Sequence, residues 1–265
     1  MKSTLKTWTK LGLATALAGG TLAACSGGGE GGEGEGGESA VTGEAGSGES
    51  GEGESGEGEG GEGEGGEAGS AAGALPLPQR LAFMTGHVEA GLALYRAGDA
   101  ASAAPHLLHP VSATHADERA GLDELGFDAS LFETVSKALE EGKPAAEVEP
   151  QLAAAEANLA AMRAKAGGDP AEVIAFLMEM VAAEYAAGVS DGAVSDPAEY
   201  QDAFGFAVAA KDIAAGIDGE AGAKVNAELD QLIAMFPTDG PIAPSEPAPA
   251  GQVSALASRV TLALP

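Results

Sequence analysis

The sequence predicts an all-α protein, a single bundle of about seven helices that follows a long, disordered, acidic tether. From Leu75 onward the chain is rich in Ala, Leu and Glu, and no segment alternates apolar and polar residues as a half-buried strand would. Glycines and Asp-Pro pairs divide this part into segments of helical length. Residues 26–73 are mostly Gly, Glu, Ser and Ala, with one Val and no aromatic residue, so they lack the apolar surface that offsets chain entropy.

The N-terminus has the layout of an export signal. Lys2, Lys6 and Lys10 form a basic region, and residues 11–24 are an apolar stretch that ends in small residues. A helix needs about 20 apolar residues to span a bilayer, so this stretch is too short for a membrane anchor. The pattern predicts a cleaved signal peptide over residues 1–24.

Leu22-Ala23-Ala24-Cys25 resembles the lipobox of bacterial lipoproteins. The resemblance implies that cleavage precedes Cys25, whose thiol and new amino group then carry acyl chains. Because no second apolar run approaches spanning length, lipid is expected to be the only membrane anchor. Ser26 after the cysteine implies the outer membrane, facing the periplasm or the surface, if the organism is Gram-negative. The alternative is an ordinary signal peptide that contains a cysteine, in which case this lone thiol would stay free.

The tether is predicted to cover residues 25–74, from the lipidated cysteine to the folded domain. Residues 26–73 contain 13 Glu and no basic residue. A Gly-rich chain of this length spans roughly 35–40 Å, and like-charge repulsion extends it further. We interpret the segment as a spacer. The alternative is weak, Ca²⁺-like buffering by the glutamates, which lack the fixed geometry of a tight site.

The folded part is acidic in its own right. The chain carries 13 basic and 41 acidic residues, a net charge of −28. Without the three signal lysines and the 13 tether glutamates, residues 74–265 keep 10 basic and 28 acidic residues, a net charge of −18. This charge argues against nucleic acid as a partner, since a basic patch would be expected there. It is compatible with a cationic ligand.

The helical domain is expected to cover residues 75–236. Its helices are predicted to begin at Pro or Asp residues, such as Asp128, Asp169 and Asp196, and to end at glycines. The predicted segments are 76–97, 102–125, 128–142, 145–166, 169–188, 196–216 and 220–236. Residues 237–265 are predicted to be a Pro-rich linker and a short C-terminal helix, which either docks on the domain or stays loose.

One segment resembles a tetratricopeptide repeat. Residues 91–99, followed by Ala103 and Leu107, match the small and aromatic positions of that helical hairpin. A solenoid needs about three such units and only one is visible. We therefore expect a tight αα-hairpin, with Gly91 permitting close helix approach and Gly98-Asp99 forming the turn.

The four histidines all lie in this hairpin region, between positions 87 and 115. His106 and His109 are spaced i, i+3 and so share one helix face. His87 lies on the preceding antiparallel helix, about 15 Å from the turn against about 10–11 Å for His109, at 1.5 Å per residue. The three imidazoles can therefore form a metal site, for which nitrogen ligands suit Fe, Cu or Zn.

Two carboxylates, Glu89 and Asp117, are close enough in sequence to complete such a site. On a regular helix His115 would point about 180° away from His106, so it can join only if Pro110 kinks the helix. The alternative is that these are ordinary buried or capping histidines. No catalytic spacing is present, and we expect that the protein is not an enzyme.

A second resemblance lies in residues 173–206. Glu184-Tyr185, Val189-x-Asp191-Gly192 and Glu199-Tyr200 follow one another there. They resemble the extracytoplasmic helical region that precedes the membrane domain of some bacterial high-affinity iron permeases. The chain lacks the membrane helices of those permeases and their acidic iron-binding motifs. The resemblance therefore implies a metal-related function outside the cytoplasm rather than transport.

Together these observations predict a lipid-anchored helical protein of the cell envelope that binds a transition-metal ion, or assists its uptake, through His87, His106 and His109. Its expected partners are the membrane, through the lipid at Cys25, and a metal permease or other envelope protein. The alternative is a helical interaction module that binds an envelope protein without a metal.

Overall fold

A computed structural model of the chain describes residues 74–112, 115–116 and 119–265. The predicted signal peptide, the lipidation of Cys25 and the tether lie outside the described residues. Within the described part the chain forms eight α-helices and one very short strand pair, which confirms the all-α prediction. None of these helices combines the length and the apolar character needed to cross a membrane.

The helices are α1 Leu77–Arg96, α2 Ala100–Leu108, α3 Ala129–Glu140, α4 Ala145–Ala166, α5 Pro170–Gly188, α6 Pro197–Ala214, α7 Gly219–Ile233 and α8 Ala250–Ala263. Two 3₁₀ turns, His109–Val111 and Asp123–Leu125, lie between α2 and α3. Strands β1 Val189–Ser190 and β2 Ala193–Val194 form a hairpin between α5 and α6.

Aspartate side chains cap several helix N-termini. Asp128, Asp169 and Asp196 accept hydrogen bonds from the backbone N–H groups two residues on, at 3.1, 2.9 and 3.1 Å. In α5 and α6 the residue after the cap is proline, whose missing N–H costs nothing at the first helical position. The predicted starts of these three helices are thus confirmed.

The prediction of a second helix over residues 102–125 is wrong. Helix α2 begins at Ala100, after the Asp99 cap, and ends at Leu108. Pro110 has no N–H to continue the helical ladder, and Ser112 turns to extended backbone with φ −63° and ψ 142°. Further on, Gly121 has φ +83°, which a right-handed helix excludes. The α-helix therefore ends at Leu108, and the described residues between it and the next helix form two 3₁₀ turns and other turns.

The strand pair fixes how α5 returns into α6. Val189 pairs with Val194 and Ser190 with Ala193, so only two residues form the loop. Those residues are Asp191 and Gly192, with φ of 51° and 77°. Two positive φ angles define a type I′ turn, for which Asp-Gly is a preferred sequence. The tight turn makes α5 and α6 antiparallel neighbours.

Helix α1 lies between two hydrophobic cores. Ala82 and Phe83 contribute to the core formed with α5, α6, α7 and α8. Met84, Val88 and Leu92 belong to the core formed with α2, α3 and α4. A helix that packs on both sides needs apolar residues all round rather than along one stripe. Helix α1 thus joins the N-terminal helices to a C-terminal four-helix group, α5 to α8.

Helix α8 docks on the bundle, which is the first of the two expected alternatives. Val253, Leu256 and Val260 are buried in the core that also contains residues of α5 and α7. The Pro-rich segment before it is held by the Tyr185 hydroxyl, which donates to Ala248 O at 2.8 Å.

Candidate metal centre

Two glycines let α1 and α6 approach closely beside the site. A Cβ at Gly205 would overlap the carbonyl oxygen of Gly86 and lie 2.9 Å from Ala90 N. A Cβ at Gly86 would overlap the Phe206 ring. Since neither position tolerates a side chain, the two backbones are nearly in contact. This contact places His87, the residue after Gly86, next to the middle of α6.

At this crossing His87 and His106 meet Asp202. His87 Nδ1 lies 2.7 Å from Asp202 Oδ1, and His106 Nδ1 lies 3.0 Å from the same oxygen. The three side chains come from α1, α2 and α6, and less than a tenth of each residue is exposed to solvent. Within the described residues they form a group of potential ligands whose atoms lie within 4.8 Å of one another.

Asp202 is ionised in this arrangement. Burial by itself raises the pKa of its carboxyl, but the charges and hydrogen bonds of His87 and His106 outweigh burial and hold that pKa below its usual range. An ionised carboxylate only accepts hydrogen bonds. Both Nδ1 atoms are therefore the donors, and a metal ion that bound them would take the place of these two protons.

The second nitrogen of His106 is also engaged. His106 Nε2 lies 2.9 Å from Gln201 Oε1, the neighbour of Asp202 on α6. With the oxygen in that position His106 is a doubly protonated imidazolium. Rotating the Gln201 amide by half a turn would instead offer an N–H to a neutral ring. Either way Gln201 fixes the ring, as an outer partner commonly does for a metal-binding histidine.

The second nitrogen of His87 has a different environment. His87 Nε2 is buried and has no hydrogen-bond partner among the described residues. Phe83 and Phe206 meet the His87 ring edge to face, at centroid distances of 4.7 and 5.2 Å. A buried nitrogen without a partner costs free energy, so its presence calls for a physical reason.

His109, the third predicted ligand, lies in the same cluster in another orientation. Its ring stacks on that of His87, with centroids 4.2 Å apart and planes 14° apart. Imidazole lone pairs lie in the ring plane, so two rings stacked face to face at this short distance do not direct them at one ion, and His109 is not in the group of potential ligands found among the described residues. The structure brings all three predicted histidines together but aims only His87 and His106 at a common point.

His115 joins this cluster because α2 ends before it. Its ring stacks on His109, with centroids 3.7 Å apart and planes 18° apart. His115 is half-buried, whereas His109 is 7 % exposed. The sequence predicted that His115 could approach the other histidines only if the helix were interrupted at Pro110, and the 3₁₀ turn there provides this interruption.

The two carboxylates suggested by sequence do not complete the group. Glu89 instead lines a cavity of about 550 Å³ between α1, α4 and α6, where burial, Glu156 and Asp212 raise its pKa to about 8. Asp117 lies outside the described residues. The carboxylate of the site is Asp202, 115 positions after His87.

Sequence reasoning missed Asp202 as a member of this group, although a signal was present. Asp202 lies on a helix whose neighbouring positions, among them Tyr200, Ala203 and Phe206, are buried. A charged residue within such an apolar stretch must be paired or bound to a metal. The Asp196 cap and the Glu199-Tyr200 motif already accounted for the polar residues at the start of α6, so the sequence gave no reason to look for a site there.

A pair of carboxyl groups lies near Asp202. Glu184 of α5 and Glu199 of α6 share a hydrogen bond; burial, Glu199 and Asp202 hold the pKa of Glu184 well above its usual range. Glu184 is half-buried rather than exposed, because the tight α5–α6 turn brings the two motif glutamates together. The tyrosines that follow them, Tyr185 and Tyr200, pack against each other with centroids 5.6 Å apart.

Comparison with known proteins concerns the C-terminal half. Residues 163–264 match the family model described as the iron permease-associated four-helix bundle domain. Neither the curated proteins nor the solved structures gave a match. The matched segment contains α5 to α8 and Asp202, whereas His87 and His106 precede it. The C-terminal four-helix group is therefore similar to the iron permease-associated four-helix bundle domain, as the motifs in residues 173–206 predicted.

Proposed function

We propose that the protein binds a divalent transition-metal ion through His87 Nδ1, His106 Nδ1 and Asp202 Oδ1, in support of iron uptake. The observation that carries the proposal is the convergence of these three buried atoms on one point. Two imidazoles and one carboxylate are a donor set used by ferrous iron, and imidazole also suits Cu and Zn. The match to an iron permease-associated domain favours iron.

The distances fit such an ion. Ligand atoms that bind one ion at about 2.1 Å lie about 3.0–3.4 Å apart when they are adjacent in octahedral or tetrahedral geometry. The two Nδ1–Oδ1 distances of 2.7 and 3.0 Å are close to that spacing. For these two atom pairs, small side-chain shifts would be enough to admit the ion.

The proposed cellular setting follows from the sequence. The chain would be held in the envelope by lipid on Cys25, outside the cytoplasm, and would act without catalysis. Its proposed partner is an iron permease, because the matched family is named for that association. Replacing Cys25 by Ser should move the protein from the membrane to the soluble fraction, and mass spectrometry of the native chain should find an acylated N-terminal cysteine.

Metal binding is tested with the exported chain, purified in detergent and without a histidine tag. Metal analysis and calorimetric titration with Fe²⁺ under anaerobic conditions, Zn²⁺ and Cu²⁺ should give one ion per chain. At a free metal concentration of 100 Kd the folded state should gain about 2.7 kcal/mol. His87→Gln, whose amide can still donate to Asp202, should weaken binding by about 100-fold or more.

Asp212→Asn is the matched control, because Asp212 is an exposed acid of α6 that lies outside the group of three ligands. It should bind metal as the unmodified chain does. An absence of stoichiometric metal, with unchanged thermal stability for all three ions, would refute metal binding. That outcome would leave the helical interaction module as the function.

A further inference from the structure

We propose that a cavity at the corner between α4 and α5 binds a small carboxylate with an apolar body, which Arg163 holds by its charge. The cavity has a volume of about 190 Å³ and lies between α1, α4, α5 and α6. Its lining residues on α1 recur every three or four positions and so share one helix face. They are Pro78, Leu81, Ala82 and Thr85. At 3.6 residues per turn His87 lies on the opposite face of α1, so this site is separate from the proposed metal centre.

The floor of this cavity is apolar, and its mouth opens to solvent. Leu81, Val173 and Ala209 form part of the floor and are buried. Gly167 and Pro170 line the mouth at the corner between the two helices and are exposed. A small molecule can therefore enter from solvent and remove its apolar surface from water, which is the main driving force for filling such a site.

Arg163 is the one cation among the described residues that line this cavity. The other four arginines of the chain each donate a hydrogen bond to an oxygen atom; they are Arg80, Arg96, Arg119 and Arg259. Half-buried Arg163 makes no hydrogen bond and no ion pair within the described part of the chain. A partly buried guanidinium without an anion has lost hydration that nothing replaces. Its planar set of N–H donors matches a carboxylate through two parallel, charge-assisted hydrogen bonds.

The hydroxyl group in the cavity makes Arg163 the anchor for a carboxylate. Thr85 Oγ1 donates to Leu81 O at 2.7 Å, so its only hydrogen is already engaged. A carboxylate only accepts hydrogen bonds, and it would gain none from this hydroxyl. The charged end of the ligand is therefore expected at Arg163 and its apolar body on the floor.

The acids near Arg163 lie on its other side. Glu89, Glu156 and Asp212 line the neighbouring cavity of about 550 Å³, which shares Thr85 and Arg163 with this one. Glu89 and Asp212 interact electrostatically with Arg163 but form no ion pair with it. No acidic residue is among the described residues that line the smaller cavity. A carboxylate there is thus in contact with the cation and not with the acids.

The volume of the cavity limits the size of the ligand. An apolar protein cavity of about 150 Å³ can hold benzene, so about 190 Å³ leaves room for one ring and part of a carboxyl group. Pockets for drug-sized ligands have about 300–1,000 Å³. The ligand class is therefore a monocarboxylate with a single ring or a short chain.

Benzoate is the probe, titrated calorimetrically into the exported chain. The chain is purified in a steroid-based detergent, whose fused rings are too large to occupy the cavity. One benzoate should bind per chain, and Arg163→Gln should weaken its binding by about tenfold or more, because a charge-assisted pair of hydrogen bonds is lost. Lys224→Gln removes an exposed cation of α7 that does not line the cavity, so this matched control should bind benzoate as the unmodified chain does.

Benzamide separates the effect of the charge from that of the ring. It should bind the unmodified chain about tenfold more weakly than benzoate, whereas Arg163→Gln should bind the two compounds alike. Ala166→Leu places a larger side chain at the half-buried edge of the cavity and should abolish the binding of both. His87→Gln should leave benzoate binding unchanged, whatever its effect on metal. Circular dichroism checks that each variant is folded.

Four results would overturn the proposal. The first is that millimolar benzoate does not bind the unmodified chain. Equal benzoate affinity in Arg163→Gln would show that the guanidinium does not hold the carboxylate. Unchanged binding in folded Ala166→Leu would mean that benzoate binds elsewhere. Tighter binding of benzylamine than of benzoate would mean that the acids of the neighbouring cavity select a cation.

Discussion

His87 and Asp202 are 115 residues apart in the chain, yet His87 Nδ1 lies 2.7 Å from Asp202 Oδ1, and both side chains are about nine-tenths buried. This contact connects the N-terminal helices to the C-terminal four-helix group. The carboxylate also accepts from His106, so one oxygen holds two imidazoles. The pair is therefore important for stability in the absence of metal as well as for the proposed ligand geometry.

Removing this carboxylate charge should destabilise the metal-free protein. Asp202→Asn leaves His87 and His106 buried without their charged acceptor, and breaking a buried ion pair costs about 3–5 kcal/mol. Urea denaturation followed by circular dichroism measures the change. Asp230→Asn removes an exposed partner of Lys211 and should cost at most about 1 kcal/mol. Equal losses of unfolding free energy in the two variants would mean that the buried pair contributes no more to stability than an exposed ion pair.

The close approach of α1 and α6 should depend on Gly205. Gly205→Ala places a Cβ against backbone atoms of Gly86 and Ala90, which cannot rotate away. We expect the helices to separate, with a loss of at least about 2 kcal/mol in the free energy of unfolding and weaker metal binding. Thermal unfolding and metal titration measure the two effects.

Gly251→Ala is the control for that substitution. Gly251 lies in the first turn of α8, is exposed and has open space around its Cα. Alanine is the better helix former by up to about 1 kcal/mol, so this variant should be neutral or slightly more stable. A tolerated Gly205→Ala, with unchanged metal affinity, would contradict the role given to the close contact.

The carboxyl pair Glu184 and Glu199 should make stability depend on pH. The folded-state pKa of Glu184 lies above its ordinary value of 4.5, so the folded chain keeps a proton that the unfolded chain has released. The stabilisation of the folded state by this retained proton is fully present below pH 4.5 and is lost as the pH rises toward the folded-state pKa of Glu184. Glu184→Gln mimics the protonated form and should raise the melting temperature at pH 8 more than at pH 5. An equal gain at both pH values would argue that the proton is not retained.

The two neighbouring tyrosines, Tyr185 and Tyr200, should respond differently to loss of their hydroxyl groups. The Tyr185 hydroxyl donates to Ala248 O, so Tyr185→Phe should cost about 1 kcal/mol and loosen the segment before α8. The buried Tyr200 hydroxyl has no partner in the described part of the chain, so Tyr200→Phe should be neutral or stabilising. Chemical denaturation and limited proteolysis of the C-terminal segment check both. The reverse order of stabilities would contradict the hydrogen-bond assignment.

Local signals in the sequence determined most of the helical boundaries. Asp128, Asp169 and Asp196 cap their helices through bonds that span only two residues, so a short window of sequence contains the whole cause. The same holds for the Asp191-Gly192 turn, whose positive φ angles follow from residue type. The prediction failed at 102–125, where Pro110 and Gly121 outweighed the helix-forming residues between them.

The sequence by itself determined the all-α fold class, the helix caps and the concentration of histidines between positions 87 and 115. Tertiary structure decided which acid meets them. Asp202 reaches His87 because two glycines on different helices let the backbones touch, and a contact between segments more than a hundred residues apart leaves no local pattern. It also decided the orientation of the rings, since His109 shares the cluster but stacks on His87 instead of facing the common point. Composition and spacing bring residues to the same region, whereas packing fixes the direction of each lone pair.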